Sequence, residues 1–88
     1  MSEAVSGRFT LYGTSACHLC EIAEEMLLAQ RAAGVQFEYD KVDISDHDTL
    51  FERYGLLIPV LRHPGGAELN WPFSAQDLAG FLGVVDTT

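Results

Sequence analysis

The sequence predicts an α/β domain with the element order β-α-β-α-β-β-α, built on a mixed four-stranded sheet. Three observations lead to this prediction: a strand-like segment followed by an amphipathic helix, a second strand after that helix, and a Pro-Gly-Gly turn between the last two strands. A β-α-β unit joins parallel strands by a right-handed crossover, whereas a hairpin adds an antiparallel strand. A chain of 88 residues is long enough for one small domain with a single core.

The first half of the predicted domain is the β-α-β unit. Residues 9–12 alternate as a strand does, and residues 13–15 (Gly-Thr-Ser) end it. From Leu19 onward, apolar residues recur at the spacing of one helix face, and Gly34 is a suitable residue at which that helix ends. The second strand is predicted over residues 35–44, where aromatic and charged residues alternate.

A short second helix is expected after this unit. Ser45 or Asp46 is its predicted N-cap, because either side chain can accept a hydrogen bond from the free N–H groups of a helix start. Gly55 is its predicted end. The chain then passes through Pro59 into a third strand, which we predict over residues 60–63.

The last part of the domain is predicted to be a hairpin followed by a third helix. Residues 64–66 (Pro-Gly-Gly) have the composition of a tight turn, and residues 67–70 form the returning strand. Ser74 is followed three positions later by Asp77, which is the spacing of a capping box at the start of a helix.

Composition and charge argue against several classes of function. Five basic residues against thirteen acidic ones give a formal net charge of −8, which repels phosphates, so nucleic acids and anionic membranes are not expected partners. No apolar run approaches the roughly 20 residues that span a bilayer, and the N-terminus lacks the pattern of a secretory signal. We therefore expect a cytoplasmic protein with one domain over residues 8–83, a lead-in over 1–7 and a tail over 84–88.

The only two cysteines form a Cys-x-x-Cys motif, Cys17 and Cys20, on the predicted strand-to-helix turn. In a reducing compartment such a pair is more often catalytic or metal-binding than a permanent crosslink. Cys17 lies at or just before the first helical turn, where free N–H groups and the helix dipole stabilise a thiolate, and it is the predicted nucleophile. Cys20 lies one turn further on and is the predicted resolving thiol. A protonated His18 would also favour the Cys17 thiolate.

Taken together, these features resemble the glutaredoxin-like branch of the thioredoxin superfamily. The resemblance rests on the order of elements, on residues 12–20 (YGTSACHLC) and on the Ile58-Pro59-Val60 segment, and it covers residues 8–82. It implies a thioredoxin-like fold with helices on both faces of the sheet, and thiol–disulfide exchange as the activity. It also implies a cis bond between Ile58 and Pro59, with the backbone before the proline available to pair with a bound substrate.

One departure from that family concerns glutathione. Glutaredoxins bind it through a Gly-Gly pair and an acidic residue near the last helix, whereas Gly65-Gly66 comes earlier here and is the predicted hairpin turn. The segment before the last helix is aromatic instead. This departure argues against glutathione use. The expected substrate is a disulfide-containing protein or a small thiol compound, and no cofactor is predicted.

A different class of function is a binding module with the same fold. Cys17 and Cys20 could hold a metal or an iron–sulfur cluster, which some glutaredoxins share between protomers, or Trp71 and Phe73 could be presented to a protein partner. A structural zinc site is not expected, because such a site needs four ligands and the sequence has no second cysteine pair. The sequence makes no prediction of the oligomeric state.

Overall fold

The structure is a computed structural model that describes residues 8–15 and 17–83. The elements follow the predicted order. The strands are β1 (Phe9–Gly13), β2 (Tyr39–Asp43), β3 (Val60–Arg62) and β4 (Glu68–Asn70). The helices are α1 (His18–Ala32), α2 (Asp48–Tyr54) and α3 (Ala75–Gly83), with a 3₁₀ turn (Ile44–Asp46) before α2. The predicted lead-in and tail, residues 1–7 and 84–88, lie outside the described residues.

The four strands form one mixed sheet in the order β2-β1-β3-β4. The central strand β1 pairs in parallel with β2 and antiparallel with β3, and β3 pairs antiparallel with β4. Leu11 lies opposite Lys41 on one side and Leu61 on the other. The parallel pair follows from the β-α-β unit and the antiparallel edge from the hairpin, so both pairings match the sequence prediction.

Successive residues of the strands point to opposite faces, and each face has its own helices. On one face, α1 and α3 pack against the sheet and form the larger buried cluster: Phe9, Leu11, Ala23, Leu27, Leu61, Phe73, Leu78 and Leu82. On the other face, α2 and the 3₁₀ turn cover a smaller cluster: Tyr12, Ile44, Tyr54 and Val60. The prediction of helices on both faces is therefore confirmed.

The predicted N-cap of the second helix is wrong. Ser45 and Asp46 belong to the additional 3₁₀ turn, and Asp43 caps that turn by accepting the Ser45 N–H at 2.9 Å. The residue before α2 is His47, whose side chain makes no capping hydrogen bond. The 3₁₀ turn Ile44–Asp46 takes up the residues predicted to cap and start the helix, so α2 begins at Asp48, later than Ser45 would have placed it.

The second strand is shorter than predicted, since within the described residues its pairing with β1 begins at Tyr39. The backbone turns at Gly34, which has a φ of 106°, and residues 35–38 precede β2, where the Glu38 carbonyl accepts the Phe9 N–H at 2.9 Å. The pairing starts where Phe9 meets Tyr39, and within the described residues β1 has no strand residue before Phe9. A strand needs a paired neighbour, so the alternating pattern alone overestimated its length.

The predicted turn and last helix are confirmed. Gly66 has a φ of 110° in the hairpin, and its N–H donates to the His63 carbonyl at 2.8 Å. The Asp77 N–H donates to Ser74 Oγ at 2.9 Å, while the Ser74 N–H donates to Asp77 Oδ2 at 3.1 Å. This reciprocal pair is a capping box. Across residues 8–15 and 17–83, none of the helices has the length and apolar character that crossing a membrane requires.

Candidate active site

The two cysteines lie where β1 leads into α1. Cys17 is the N-cap of α1, with an extended backbone (φ −102°, ψ 109°), and Cys20 is in the first turn of the helix. A spacing of three residues brings their Cα atoms to 5.2 Å, within the usual range for a disulfide, and the two sulfurs are bonded to each other. The pair that the sequence predicts as the reactive centre is therefore joined, here in its oxidised form.

The sulfur of Cys17 takes the position that a side-chain oxygen has in an ordinary N-cap. Cys17 Sγ accepts the Cys20 N–H at 3.0 Å, and the backbone carbonyl of Cys17 accepts the Glu21 N–H at 3.2 Å. A thiolate at this position would accept the same N–H group and lie at the positive end of the 15-residue helix α1. Both effects lower the pKa of a thiol.

The two cysteines differ in accessibility. Cys17 is half-buried, whereas Cys20 is only 8% exposed and lies against the end of β1. An attacking thiolate must reach its substrate, and a resolving thiol needs to reach only its partner cysteine. Cys17 is the more accessible of the two, and the roles of nucleophile for Cys17 and resolving thiol for Cys20 stay predictions.

Pro59 lies at the same end of the sheet. The bond between Ile58 and Pro59 is cis, as predicted. Because Tyr12 pairs with Val60, one further step along this antiparallel register leads to Gly13 and Pro59, next to the start of the cysteine turn. The structure thus brings the predicted proline to the end of the sheet at which the disulfide lies.

The hydrogen bonds around Pro59 limit what its neighbour can offer to a substrate. The Ile58 N–H donates to the Tyr54 carbonyl at 3.0 Å, and the Pro59 carbonyl accepts the Trp71 N–H at 3.2 Å. Within the described residues the Ile58 carbonyl has no backbone donor, whereas the Ile58 N–H is already occupied.

Residues 8–83 match the family model of the glutaredoxin-like domain (DUF836). The chain belongs to this family. Its disulfide at a helix start and the neighbouring cis-proline thus occur in a glutaredoxin-like domain that makes up most of the chain. No protein of curated function matched it.

Solved structures share the thioredoxin-like fold. A structural-genomics target protein, XcR50 from X. campestris, is 46% identical in its X-ray structure, with a TM-score of 0.74 over 86% of this chain and 96% of that one. Its solution structure is 47% identical, with a TM-score of 0.70 over 88% and 94%. The protein Ne2328 from Nitrosomonas europaea is 24% identical, with a TM-score of 0.72 over 92% and 98%, and shows likeness of fold alone.

In this glutaredoxin-like domain a groove of about 420 Å³ opens beside Cys20, between α1 and the ends of β1 and β2. Its charged lining residues are mostly acidic: Glu21, Glu24 and Asp43, with Lys41 as the one base among the described lining residues. Three carboxylates against one ammonium give the groove a negative balance. The buried sulfur of Cys20 therefore lies beside a groove whose walls carry net negative charge.

Part of this charge is fixed by hydrogen bonds between α1 and β2. Glu24 accepts the Tyr39 hydroxyl at 2.6 Å and the Lys41 ammonium at 3.1 Å. The Tyr39 hydrogen bond is the main reason that the pKa of Glu24 lies below its ordinary value. Burial, together with Glu24, raises the pKa of Tyr39 to about 12. Glu24 is therefore ionised and Tyr39 neutral at neutral pH.

His18, the predicted modulator of the Cys17 thiolate, is largely exposed. Its Nδ1 atom lies 3.9 Å from the Glu21 carboxylate, so a protonated imidazole would have an anionic neighbour as well as the cysteine. The side-chain exposures of 82% and 68% mean that water screens both charges. The influence of His18 on Cys17 stays a prediction.

The aromatic pair named in the binding-module alternative is not one exposed surface. Phe73 is buried in the larger core cluster, and Trp71 is half-buried and meets it edge-to-face at 5.1 Å between ring centroids.

Sequence reasoning also missed two features near the site. One is the Glu24 network, whose only sequence signal is that Glu24 follows Cys20 by four residues on the same helix face. The other is a second cis bond, between Trp71 and Pro72.

Proposed function

We propose that this glutaredoxin-like domain is a thiol–disulfide oxidoreductase in which Cys17 is the nucleophile and Cys20 the resolving thiol. The observation that carries the proposal is the position of Cys17 Sγ, which accepts a helix N–H at 3.0 Å while bonded to Cys20 Sγ. The same backbone donor would stabilise a Cys17 thiolate after reduction. One arrangement therefore serves both the disulfide and the reactive dithiol.

The proposed reaction is a two-step exchange. The Cys17 thiolate attacks one sulfur of a substrate disulfide, forms a mixed disulfide and releases the other substrate sulfur as a thiolate. Cys20, as its thiolate, then attacks Cys17 Sγ. A bond forms between the two cysteines, and the second substrate sulfur leaves and takes up a proton. The substrate gains two electrons, the dithiol loses two, and a separate thiol reductant reopens the disulfide.

The proposed substrate is a disulfide in a protein or in a small molecule other than glutathione. Gly65 and Gly66 are in the hairpin turn between β3 and β4, and Ser74 and Asp77 hydrogen-bond to each other at the start of α3. The Gly-Gly pair is therefore engaged in a turn and the acidic residue in a helix cap, whereas glutaredoxins use such residues near the last helix to contact glutathione. We further propose that the Ile58 carbonyl accepts a backbone N–H of the substrate beside Pro59.

The direct test is to equilibrate the purified protein in buffers of defined thiol–disulfide ratio, trap free thiols by alkylation and measure the masses of the products by mass spectrometry. We expect two states that differ by two alkyl groups and interconvert reversibly as one two-electron couple. A protein that never forms the Cys17–Cys20 disulfide in these buffers would rule out the proposed exchange.

Two single substitutions test the roles. Cys17→Ser should abolish the reaction with a small disulfide, because the hydroxyl is not a comparable nucleophile at neutral pH. Cys20→Ser should still react once but accumulate the mixed disulfide, since nothing resolves it. If Cys17→Ser still reacts and Cys20→Ser does not, the two roles are reversed.

The alternative class, a module that holds a metal or an iron–sulfur cluster, gives different results in the same preparation. Cluster binding requires both sulfurs as thiolates, so the reduced protein would carry bound iron and colour, and alkylation would be blocked until the iron is removed. Metal analysis of protein purified under reducing, oxygen-free conditions therefore separates the two functions.

A further inference from the structure

Gly13, the last residue of β1, approaches the disulfide more closely than any side chain could. A Cβ atom placed on Gly13 would lie 2.8 Å from Cys20 Sγ and 3.1 Å from Cys20 Cβ. Carbon and sulfur atoms that are not bonded to each other do not come this close, because repulsion rises steeply inside van der Waals contact. With any other residue at position 13, Cys20 or the end of β1 would have to move.

The backbone does not require glycine at this position. Among the described glycines, positive φ angles occur at Gly34 and Gly66, whereas Gly13 continues the extended strand β1. An alanine would therefore fit the backbone of residue 13 without strain. What glycine supplies here is space for the sulfur of Cys20.

The need for this space depends on the redox state of the pair. In the disulfide, Cys20 Sγ is bonded to Cys17, which is itself held as the N-cap of α1, so the sulfur cannot move away from position 13. In the dithiol, rotation about the Cα–Cβ bond of Cys20 can move its sulfur to another rotamer. A methyl group on residue 13 would thus crowd the oxidised form more than the reduced form.

We propose that Gly13 is a positioning residue for the thiol–disulfide reaction, which makes room for Cys20 Sγ and so favours closure of the Cys17–Cys20 disulfide. This inference rests on the proposed function. Gly13 touches no substrate in this scheme, since it acts only through the resolving cysteine. The step that it favours is the attack of Cys20 on the mixed disulfide at Cys17, which forms the internal bond and expels the substrate thiolate.

The test compares Gly13→Ala with the matched control Gly80→Ala in redox equilibrium with a reference dithiol. In Gly13→Ala we expect the equilibrium constant for disulfide formation to fall by about tenfold, as overpacking of a tight site implies. A tenfold fall makes the two-electron potential about 30 mV more positive. Gly80 lies in α3 with nothing near its Cβ position, so its alanine variant should keep the wild-type constant.

Kinetics and stability give two further readouts. After reaction with a small disulfide, Gly13→Ala should accumulate mixed disulfide at Cys17 that the wild type resolves. Its unfolding free energy should fall more in the oxidised protein than in the reduced one, because only the oxidised sulfur is fixed. A variant that is unfolded even when reduced contradicts the proposal, which holds that the reduced form accommodates the methyl group.

The outcomes separate this inference from the proposed function. If the wild-type protein forms no internal disulfide, the proposed function fails before any variant is compared. If the wild type cycles normally and Gly13→Ala has the same equilibrium constant and closure rate, the function stands and the role of Gly13 is refuted.

Discussion

Cys17 combines two tasks, since its sulfur caps α1 and is the proposed nucleophile. The capping bond, from the Cys20 N–H to Sγ at 3.0 Å, needs only an acceptor, whereas attack on a disulfide needs a thiolate. Serine keeps an acceptor and alanine does not, so the two substitutions separate structure from chemistry.

We therefore expect reduced Cys17→Ser to be about as stable as the reduced wild type. Reduced Cys17→Ala should lose about 1 kcal/mol of unfolding free energy, the typical cost of a lost N-cap. Both variants should be inactive. Urea unfolding in excess reductant measures the difference, and equal stability of the two variants would mean that Sγ does not cap the helix.

The predicted effect of His18 can be measured on the same sulfur. In a Cys20→Ser background, which leaves a single thiol, His18→Gln should raise the pKa of Cys17 by removing a cation. Glu21→Gln should lower it by removing the carboxylate 3.9 Å from the imidazole. Thiolate absorbance in the ultraviolet follows the titration. If neither substitution changes the titration, His18 is a solvated surface residue without influence on the site.

At the scale of the elements, the hydrogen bond from Tyr39 to Glu24 joins β2 to α1 beside the disulfide. The lowered pKa of Glu24 means that its contribution to stability is present above the ordinary value of 4.5 and is lost as pH falls through the folded value. The raised pKa of Tyr39 acts at alkaline pH. The contribution of Tyr39 to stability is complete below pH 10.0 and is lost as the pH rises towards about 12.

Tyr39→Phe removes the phenolic hydroxyl, and with it the Tyr39 dependence and the largest cause of the Glu24 dependence, while the Lys41 contribution to Glu24 remains. The variant should be less stable than the wild type at neutral pH, and its unfolding free energy should fall less steeply below pH 4.5 and between pH 10 and 12. Denaturant unfolding across this pH range measures the effect. Parallel curves for the two proteins would contradict the assignment of these titrations to the Tyr39–Glu24 pair.

The packing of α1 supplies a further prediction at this scale. Leu27 is 1% exposed within the larger core cluster, whereas its neighbour Leu28 is 47% exposed. Leu27→Ala should cost about 2–5 kcal/mol of unfolding free energy, because it leaves a cavity between helix and sheet. Leu28→Ala is the matched control and should cost far less. Similar losses for both would mean that α1 packs with a different face.

Sequence alone predicted the features that depend on neighbouring residues. The capping box at Ser74 and Asp77, the turn at Gly66 and the buried positions Ala23 and Leu27 of α1 follow from local spacing and are confirmed. Leu19, where the predicted apolar face begins, is 43% exposed. One local feature was missed, the 3₁₀ turn capped by Asp43, and other missed features depend on residues far apart in the chain. The start of β2 at Tyr39 was not predictable in this way, because it is fixed by the pairing of that strand with β1.

On the scale of the whole molecule, the site follows from the central position of β1. This strand has β2 on one side and β3 on the other, so its end brings the disulfide, the groove residue Asp43 and Pro59 to the same end of the sheet. The cysteine pair was predictable because its spacing is local, and the cis-proline because of the family resemblance. The groove and the approach of Gly13 to Cys20 needed the register of the strands.

Net charge leads to a prediction about substrate preference. With a net charge of −8 and acidic walls beside Cys20, the domain should attract cationic disulfides and repel anionic ones. Cystamine, with two ammonium groups, should therefore react with the reduced protein about tenfold faster than glutathione disulfide at low ionic strength. The ratio should shrink as salt is added, because the screening length falls from about 30 Å at 0.01 M to about 10 Å at 0.1 M.

Two substitutions locate the charge responsible for this preference. Glu21→Gln removes a carboxylate from the groove, whereas Glu52→Gln removes one from the exposed surface of α2. Both change the net charge equally, so a preference set by the groove should fall in Glu21→Gln and persist in Glu52→Gln. If both substitutions lower the preference for cystamine equally, the net charge of the whole molecule sets that preference, because a carboxylate far from the groove then affects the rate ratio as much as one in the groove. Faster reaction of the wild type with glutathione disulfide than with cystamine would contradict the electrostatic preference itself, since no arrangement of these carboxylates attracts an anionic substrate.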